Sequence, residues 1–148
     1  MNKLLAWGAV LLWCVLIFSL SAQPAAVSNE LSKGVTEAMI EHAEKVVPDG
    51  ELNIGRLNHI VRKNAHFFLY LILGILVLNA LRQSGKKGKG AYALALLISV
   101  LYSMTDEFHQ LYVAGRGAHV RDVLIDSAGV VVGLGGYFII CWVWNRRE

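Results

Sequence analysis

Charge is scarce in this chain: 17% of its 148 residues are Asp, Glu, Lys or Arg, against about 25% in an ordinary soluble domain. Proline and cysteine are scarcer still, with two of each, which excludes a collagen-like repeat and a disulfide scaffold. What fills the space is apolar. The hydrophobic share is 55% and the mean hydropathy +0.49, too apolar for a disordered chain or for a soluble core. The apolar residues come in four blocks separated by charge, the pattern of a membrane protein. A formal net charge of +3 and a pI near 9.0 could by themselves suit a nucleic-acid partner. The cations, however, flank the apolar blocks, where a membrane topology needs them, so nucleic acid is set aside.

A bilayer core about 30 Å thick takes about 20 helical residues to cross. Leu4 to Leu20 holds no charge, and Val123 to Trp144 carries only Asp126. Phe67 to Leu81 and Ala91 to Met104 are uncharged but too short, so each must take in polar residues at one end, and both do so on the same side. The expected fold is an all-α integral membrane bundle of four transmembrane helices, forming a single domain over 1–148 with spans of about 4–20, 61–81, 91–110 and 123–144. The first segment also has the make-up of a secretory leader, with Lys3 as its basic region and Ser19-Leu20-Ser21-Ala22 as an imperfect cleavage site. Trp7 and Trp13 make it bulky for that role, and retaining it puts both termini on one side.

Lys and Arg in short loops favour the cytoplasm. Arg82, Lys86, Lys87 and Lys89 crowd the loop between spans two and three with no acid among them, which puts that loop inside the cell. Lys3 and Arg146-Arg147 join it, so both termini are expected in the cytoplasm and loops one and three outside. Within loop one, Val35, Met39, Ala43, Val46 and Val47 recur at helical spacing opposite Glu37, Glu41 and Glu44, before the turn signal Pro48-Asp49-Gly50. An amphipathic outer-loop helix from Ser32 to Val47 is expected, packed over the bundle, lying in the headgroups or acting as a lid.

Full-length spans two and three embed charged groups. By helical rise, His66 falls about 7 Å inside the outer edge of span two and Asp106 about 6 Å inside that of span three. Asp126 sits a few positions inside span four, so three helices bring ionisable groups to one layer. Residues three or four apart share a face, which gives three stripes: His66, Tyr70 and Gly74; Tyr102, Asp106, His109 and Gln110 with Glu107 flanking; and Asp122, Asp126, Gly129, Gly133 and Gly136. Charge inside a bilayer costs about 2.5 kcal/mol and upward, so these groups should face inward and pair. Arg62, Lys63, Arg116 and Arg121 are available to Asp106, Glu107, Asp122 and Asp126, with Arg62 suited to snorkel toward headgroups. Gly129 and Gly133 suit close approach of a neighbouring helix.

Three ordered motifs carry a resemblance. Arg-Lys-Asn-Ala-His-Phe-Phe-Leu-Tyr at 62–70, Asp-Glu-Phe-His-Gln at 106–110, and Gly-Arg-Gly-Ala-His-Val-Arg-Asp-Val-Leu-Ile-Asp-Ser-Ala-Gly at 115–129 resemble the signatures of the VanZ-like family. The family pattern falls on Lys63, His66, Phe67, Tyr70, Gly74, Asp106, Glu107, His109, Gln110, Gly115, Arg116, Asp122 and Gly129. The resemblance implies a protein of the bacterial cytoplasmic membrane, in a family whose name-giving members are associated with resistance to teicoplanin and similar lipid-tailed glycopeptides. The chain departs from the family pattern where Ala114 stands in place of a frequent proline and Asp126 in place of a frequent asparagine. The first leaves the turn before Arg116 less pre-set, and the second adds negative charge to the buried layer.

Two functions from different classes fit these residues. In a binding or protective role, Lys63, His66, Tyr70, Asp106, Glu107, His109, Gln110, Arg116 and Asp122 hold the polar part of a lipid-linked cell-wall precursor or a lipoglycopeptide, with bidentate geometry available only to the arginine. In an envelope-facing enzyme, His66, Asp106, Glu107 and His109 are the candidate catalytic acids and bases, or, if the chemistry used a metal, His66, Asp106 or Glu107, and His109 would be a mixed nitrogen and oxygen ligand set. No cofactor and no metal is expected, because Asp-Glu-Phe-His lacks the two-histidine helical spacing of zinc hydrolases. Transport has less to support it: there is no midplane charge and no inverted repeat. Cys14 and Cys141 fall at different depths, so a disulfide between them is not expected. His42, His59 and His119 are expected in solvated loops.

Overall fold

The computed structural model describes residues 2–28, 30, 34 and 54–146. Four long helices follow one another: α1 (Lys3–Ser21), α2 (Ile54–Gln83), α3 (Gly88–Gln110) and α4 (Val120–Asn145). Each is long and apolar enough to cross a membrane, over Lys3–Ser21, Ile60–Gln83, Gly88–Gln110 and Val120–Trp144. No strand occurs among the described residues. α3 runs to Gln110, so the polar residues that its short apolar run had to take in are helical. The membrane-capable part of α2 starts at Ile60, beside the start near 61 expected for span two, and the helix itself is described from Ile54. The amphipathic segment expected from Ser32 to Val47, with its turn at Pro48-Asp49-Gly50, lies outside the described residues.

α2 is the central helix and packs against each of the other three. Its inward face, Tyr70, Leu73, Val77, Leu78 and Ala80, is buried together with Ala6, Val10 and Ile17 of α1, Ala91 and Ala95 of α3, and Val130 and Leu134 of α4. The outward faces, with residues such as Leu12, Leu97, Phe138 and Ile140, are exposed and suit lipid contact. α1 is tied in by polar atoms as well. Trp13 donates its indole N–H to the Leu69 carbonyl at 2.9 Å, Trp7 donates to Ser84 Oγ at 3.0 Å, and Tyr102 donates its hydroxyl to the Cys14 carbonyl at 2.6 Å. Both cysteines are free thiols.

α2 and α4 run in the same direction and touch backbone to backbone. A Cβ built on Gly129 would overlap the Phe67 carbonyl, and one on Gly133 would overlap the Leu71 carbonyl. From the other side, a Cβ on Gly74 would stand 3.0 Å from Val130 Cγ1. The glycine row stops there. A Cβ on Gly136 meets nothing within 4 Å, so this residue, placed in the same stripe by its spacing, plays no part in the contact, which passes instead to Tyr137, whose ring lies 5.3 Å from the Arg82 guanidinium of α2. Gly133→Ala is therefore expected to cost about 1–3 kcal/mol through overpacking, seen as a lowered melting temperature in detergent. Gly136→Ala is expected to leave melting unchanged or raise it, since a helical glycine costs about 0.5–1 kcal/mol relative to alanine.

Candidate functional site

At the end of the bundle where α1 and α3 finish and α2 and α4 begin, a cavity of about 280 Å³ opens. Lys63 and His66 of α2, Glu107 and Gln110 of α3, and Asp122 and Asp126 of α4 form its walls, and the 115–119 loop closes one side with Arg116 and His119. Its size sits just below the usual range of small-molecule pockets, about 300–1,000 Å³. It suits a headgroup-sized portion of a larger molecule.

The loop is held by its backbone. Past α3, the amides of Leu111, Tyr112 and Val113 bond back to Phe108, His109 and Gln110, and Arg116 N–H donates to the Val113 carbonyl at 3.1 Å. Gly115 has φ +74°, and no other residue type in the described chain has positive φ. Val113–Arg116 is thus a β-turn with its left-handed residue in the third position, the type II pattern, whose second position favours proline. Ala114 occupies that position. In this chain its carbonyl accepts from Ala25 N–H at 3.1 Å, lacing the segment after α1 to the segment before α4. Glu107 fixes the other end of the loop by accepting His119 N–H at Oε1, 2.6 Å away, which satisfies one of the orphan donors at the start of α4.

Charge around the cavity is largely paired within the protein. Lys63 Nζ lies 2.6 Å from Asp122 Oδ1. Asp126, 2% exposed, accepts from Ser103 Oγ at 2.7 Å through Oδ2. Its Oδ1 lies 3.9 Å from His66 Nδ1, beyond hydrogen-bond range, and has no hydrogen-bond partner among the described residues. Arg116 reaches the Leu20 carbonyl with Nη2 at 3.4 Å, while its buried Nε has no partner among the described residues. Burial lowers the Arg116 guanidinium from its ordinary value, and Arg62 acts in the same direction against Asp106 and Glu107. A buried donor without a partner is costly, so Arg116 has something to gain from an anionic guest.

A family model described as VanZ/LLP1 matches residues 6–142, nearly the whole chain. The chain belongs to the VanZ-like family. Its four membrane-capable helices make it a multi-pass membrane protein of that family. No curated protein and no solved structure matches the chain.

In this VanZ-like protein the polar stripe of α3 splits between two neighbours. Lys63, His66, Glu107, Gln110, Arg116 and Asp122, all candidates from the sequence, line the cavity. Asp106 and His109 instead face α1. Asp106, 3% exposed, accepts from Ser21 Oγ at 2.8 Å, and the His109 ring packs on Phe18 with centroids 4.4 Å apart. Tyr70 is fully buried behind the cavity, its ring centroid 6.4 Å from His66 and 6.3 Å from Tyr102. Of the family-pattern residues, Gly74 and Gly129 serve the α2–α4 contact, as does the Phe67 backbone.

Some residues of the site were not among the candidates. Asp126 and Arg62 line the cavity, as does the exposed His119. Ser21 and Ser103 supply the hydroxyls that satisfy the two buried aspartates. Ser103 had a signal, lying one turn before Asp106 and Glu107 on α3. Ser21 had none, since its surroundings spell a cleavage site equally well. Among the described residues, no three His, Cys, Asp or Glu side chains converge as metal ligands would.

Two outcomes follow for stability. Ala114→Pro fits the second position of the turn and removes no hydrogen bond that Ala114 N–H donates, so a gain of about 0.4–1 kcal/mol is expected through the unfolded chain, read as a raised melting temperature. Glu107→Ala is expected to cost about 1–3 kcal/mol by leaving the His119 amide unpaired. Glu107→Gln, which keeps an acceptor oxygen, should retain most of that stability.

Proposed function

We propose that this VanZ-like protein recognises an amphipathic or lipid-linked ligand at its polar end, and through it contributes to teicoplanin and lipoglycopeptide resistance or to envelope homeostasis. The observation that carries the proposal is a polar cavity of headgroup size placed beside apolar helix faces. Phe108, Leu111 and Leu124 are exposed, and each is next in sequence to a residue on the cavity wall. A headgroup in the cavity would leave its chains lying along those faces. The basic 82–89 loop argues for a cytoplasmic face at the opposite end, which would put both termini inside a bacterial cytoplasmic membrane and the cavity at the outer leaflet. Retention of α1 is part of the proposal, because Ser21 satisfies Asp106.

Arg116 is the residue on which a phosphate or carboxylate would rest, with its free N–H edge and planar fork. In a susceptible Gram-positive host, the wild-type chain is expected to protect against teicoplanin and not against vancomycin, which lacks the lipid tail. Arg116→Ala at equal membrane abundance should abolish that protection. Loss of a charge-assisted hydrogen bond costs about 1.5–3 kcal/mol, roughly tenfold or more in affinity. Full protection by the variant would remove this role from the cavity.

One observation favours a second reading, an enzyme acting on a lipid-linked cell-wall precursor. His66 and Asp126 stand side by side on the cavity wall, and Asp126 Oδ1 has no hydrogen-bond partner among the described residues. A base and an acid so placed could move a proton at a bound substrate. Turnover of such a precursor by purified protein, abolished in His66→Gln and unaffected in lipid-facing variants, would decide for chemistry over binding.

A further inference from the structure

The other end of the bundle, where α2 passes to α3 and α4 finishes, has chemistry that the polar cavity does not use. Among the described residues it holds Lys3, Arg82, Lys86, Lys87, Lys89 and Arg146, and no acid. No Asp or Glu occurs from 52 to 105 or from 127 to 146. Such charge is a topology signal wherever it occurs. Here it also borders a receptacle. A groove of about 250 Å³ runs between the start of α3 and the end of α4, with Ala91 and Tyr92 on one wall, Phe138, Cys141 and Trp142 on the other, and Arg82 at the rim.

Two arginines at this end are held by aromatic rings. The Arg82 guanidinium lies 5.3 Å from the Tyr137 ring centroid and donates from Nη1 to Cys141 Sγ at 3.6 Å. The Arg146 guanidinium lies 3.9 Å from the Trp142 ring centroid. A ring behind a guanidinium steadies its plane and leaves N–H edges for an oxyanion, and among the described residues this end offers no carboxylate to take them. The loop lysines are held close by a tight turn. Gly85 and Gly88 adopt φ of +87° and +65°, and the amides of Ser84, Gly85 and Lys86 bond back onto the last turn of α2.

We propose that this groove seats one anionic phospholipid from the adjoining leaflet, with an acyl chain against Phe138 and Trp142 and the phosphate on Arg82. Arg146 and the loop lysines add to the field. The occupant follows from charge and shape together: cations with no carboxylate beside them among the described residues call for an anion, and apolar groove walls continuous with the exposed face of Ile139 and Ile140 call for an acyl chain. Basic pockets between membrane helices recognise lipid headgroups in this way. The site is separate from the polar cavity and does not rest on the function proposed for it.

The test uses the full-length chain purified in a neutral detergent and offered dioleoylphosphatidylglycerol or dioleoylphosphatidylcholine, with retained lipid counted by native mass spectrometry. The glycerol lipid is expected to be retained and to raise the melting temperature, and the choline lipid to do neither. Arg82→Gln should weaken retention about fivefold, the effect of one basic group at an anionic surface. Its melting without lipid is expected to fall only slightly, since Arg82 is exposed and loses just its contacts with Tyr137 and Cys141, and retention is compared at temperatures where both proteins are folded. The double variant Lys86→Gln, Lys87→Gln should lose less. Equal retention of both lipids, or wild-type retention by Arg82→Gln, overturns the site. A loss in the lysine variant as large as that in Arg82→Gln also overturns it, by making the attraction diffuse. Inorganic phosphate at millimolar concentration is expected to leave melting unchanged, and a shift equal to that given by the glycerol lipid would make the ligand a soluble anion and overturn the lipid assignment.

Discussion

The close approach of α2 and α4 governs where everything else in the protein falls. Gly129 and Gly133 lie against the carbonyls of Phe67 and Leu71, so the two backbones meet without side chains between them. His66 immediately precedes Phe67, and Asp126 lies one turn before Gly129 on the same face. The glycine contact therefore sets the separation of His66 and Asp126, and one turn further out that of Lys63 and Asp122. In a bilayer no hydrophobic force draws helices together, and association depends on packing and interhelical polar contacts. This helix pair uses both, with glycines at depth and an ion pair at the mouth of the cavity.

The second organising element is the division of the α3 polar face. Asp106 looks to α1 and Glu107 to the loop before α4, although they are neighbours in sequence. Each buried aspartate receives a hydroxyl from a different helix, Ser21 for Asp106 and Ser103 for Asp126. A carboxylate in such surroundings is tolerable only when it is hydrogen-bonded. One oxygen of each is satisfied and the other is not, which leaves the layer held together yet still able to accept.

Much of the fold was legible in the sequence because the bilayer permits few solutions. A charge-free run marked α1 and a run with Asp126 as its single charge marked α4, and the need for about 20 residues per span carried the short apolar runs of α2 and α3 into the polar residues that now form the cavity. The residue types of the site were legible for the same reason, since charge inside a span has to face inward. What the sequence could not show was which neighbour each side chain meets. A stripe of Tyr102, Asp106, His109 and Gln110 covers a face wide enough to touch two helices, and only packing sends Gln110 to the cavity and His109 to Phe18. Gly136 shares the stripe by periodicity but not the contact, because Tyr137, one position on, is the α4 residue that meets Arg82 of α2. Arg62, suited by sequence to the headgroups, also lines the cavity.

The two serine–aspartate bonds also bear on how the chain can be made. α3 buries two serines, two acids and a glutamine, and it is made before α4. When it leaves the ribosome, α1 can already supply the Ser21 hydroxyl to Asp106, but the helix that carries Asp126 and the amide that binds Glu107 do not yet exist. Until they arrive, α3 holds an ionisable side chain in hydrocarbon with no partner. The nascent chain thus has reason to keep α3 beside the insertion machinery, or only partly inserted, until α4 is synthesised. Inserting the last two helices together would spare α3 that cost, and the short loop that joins them sets how long α3 waits for its partner.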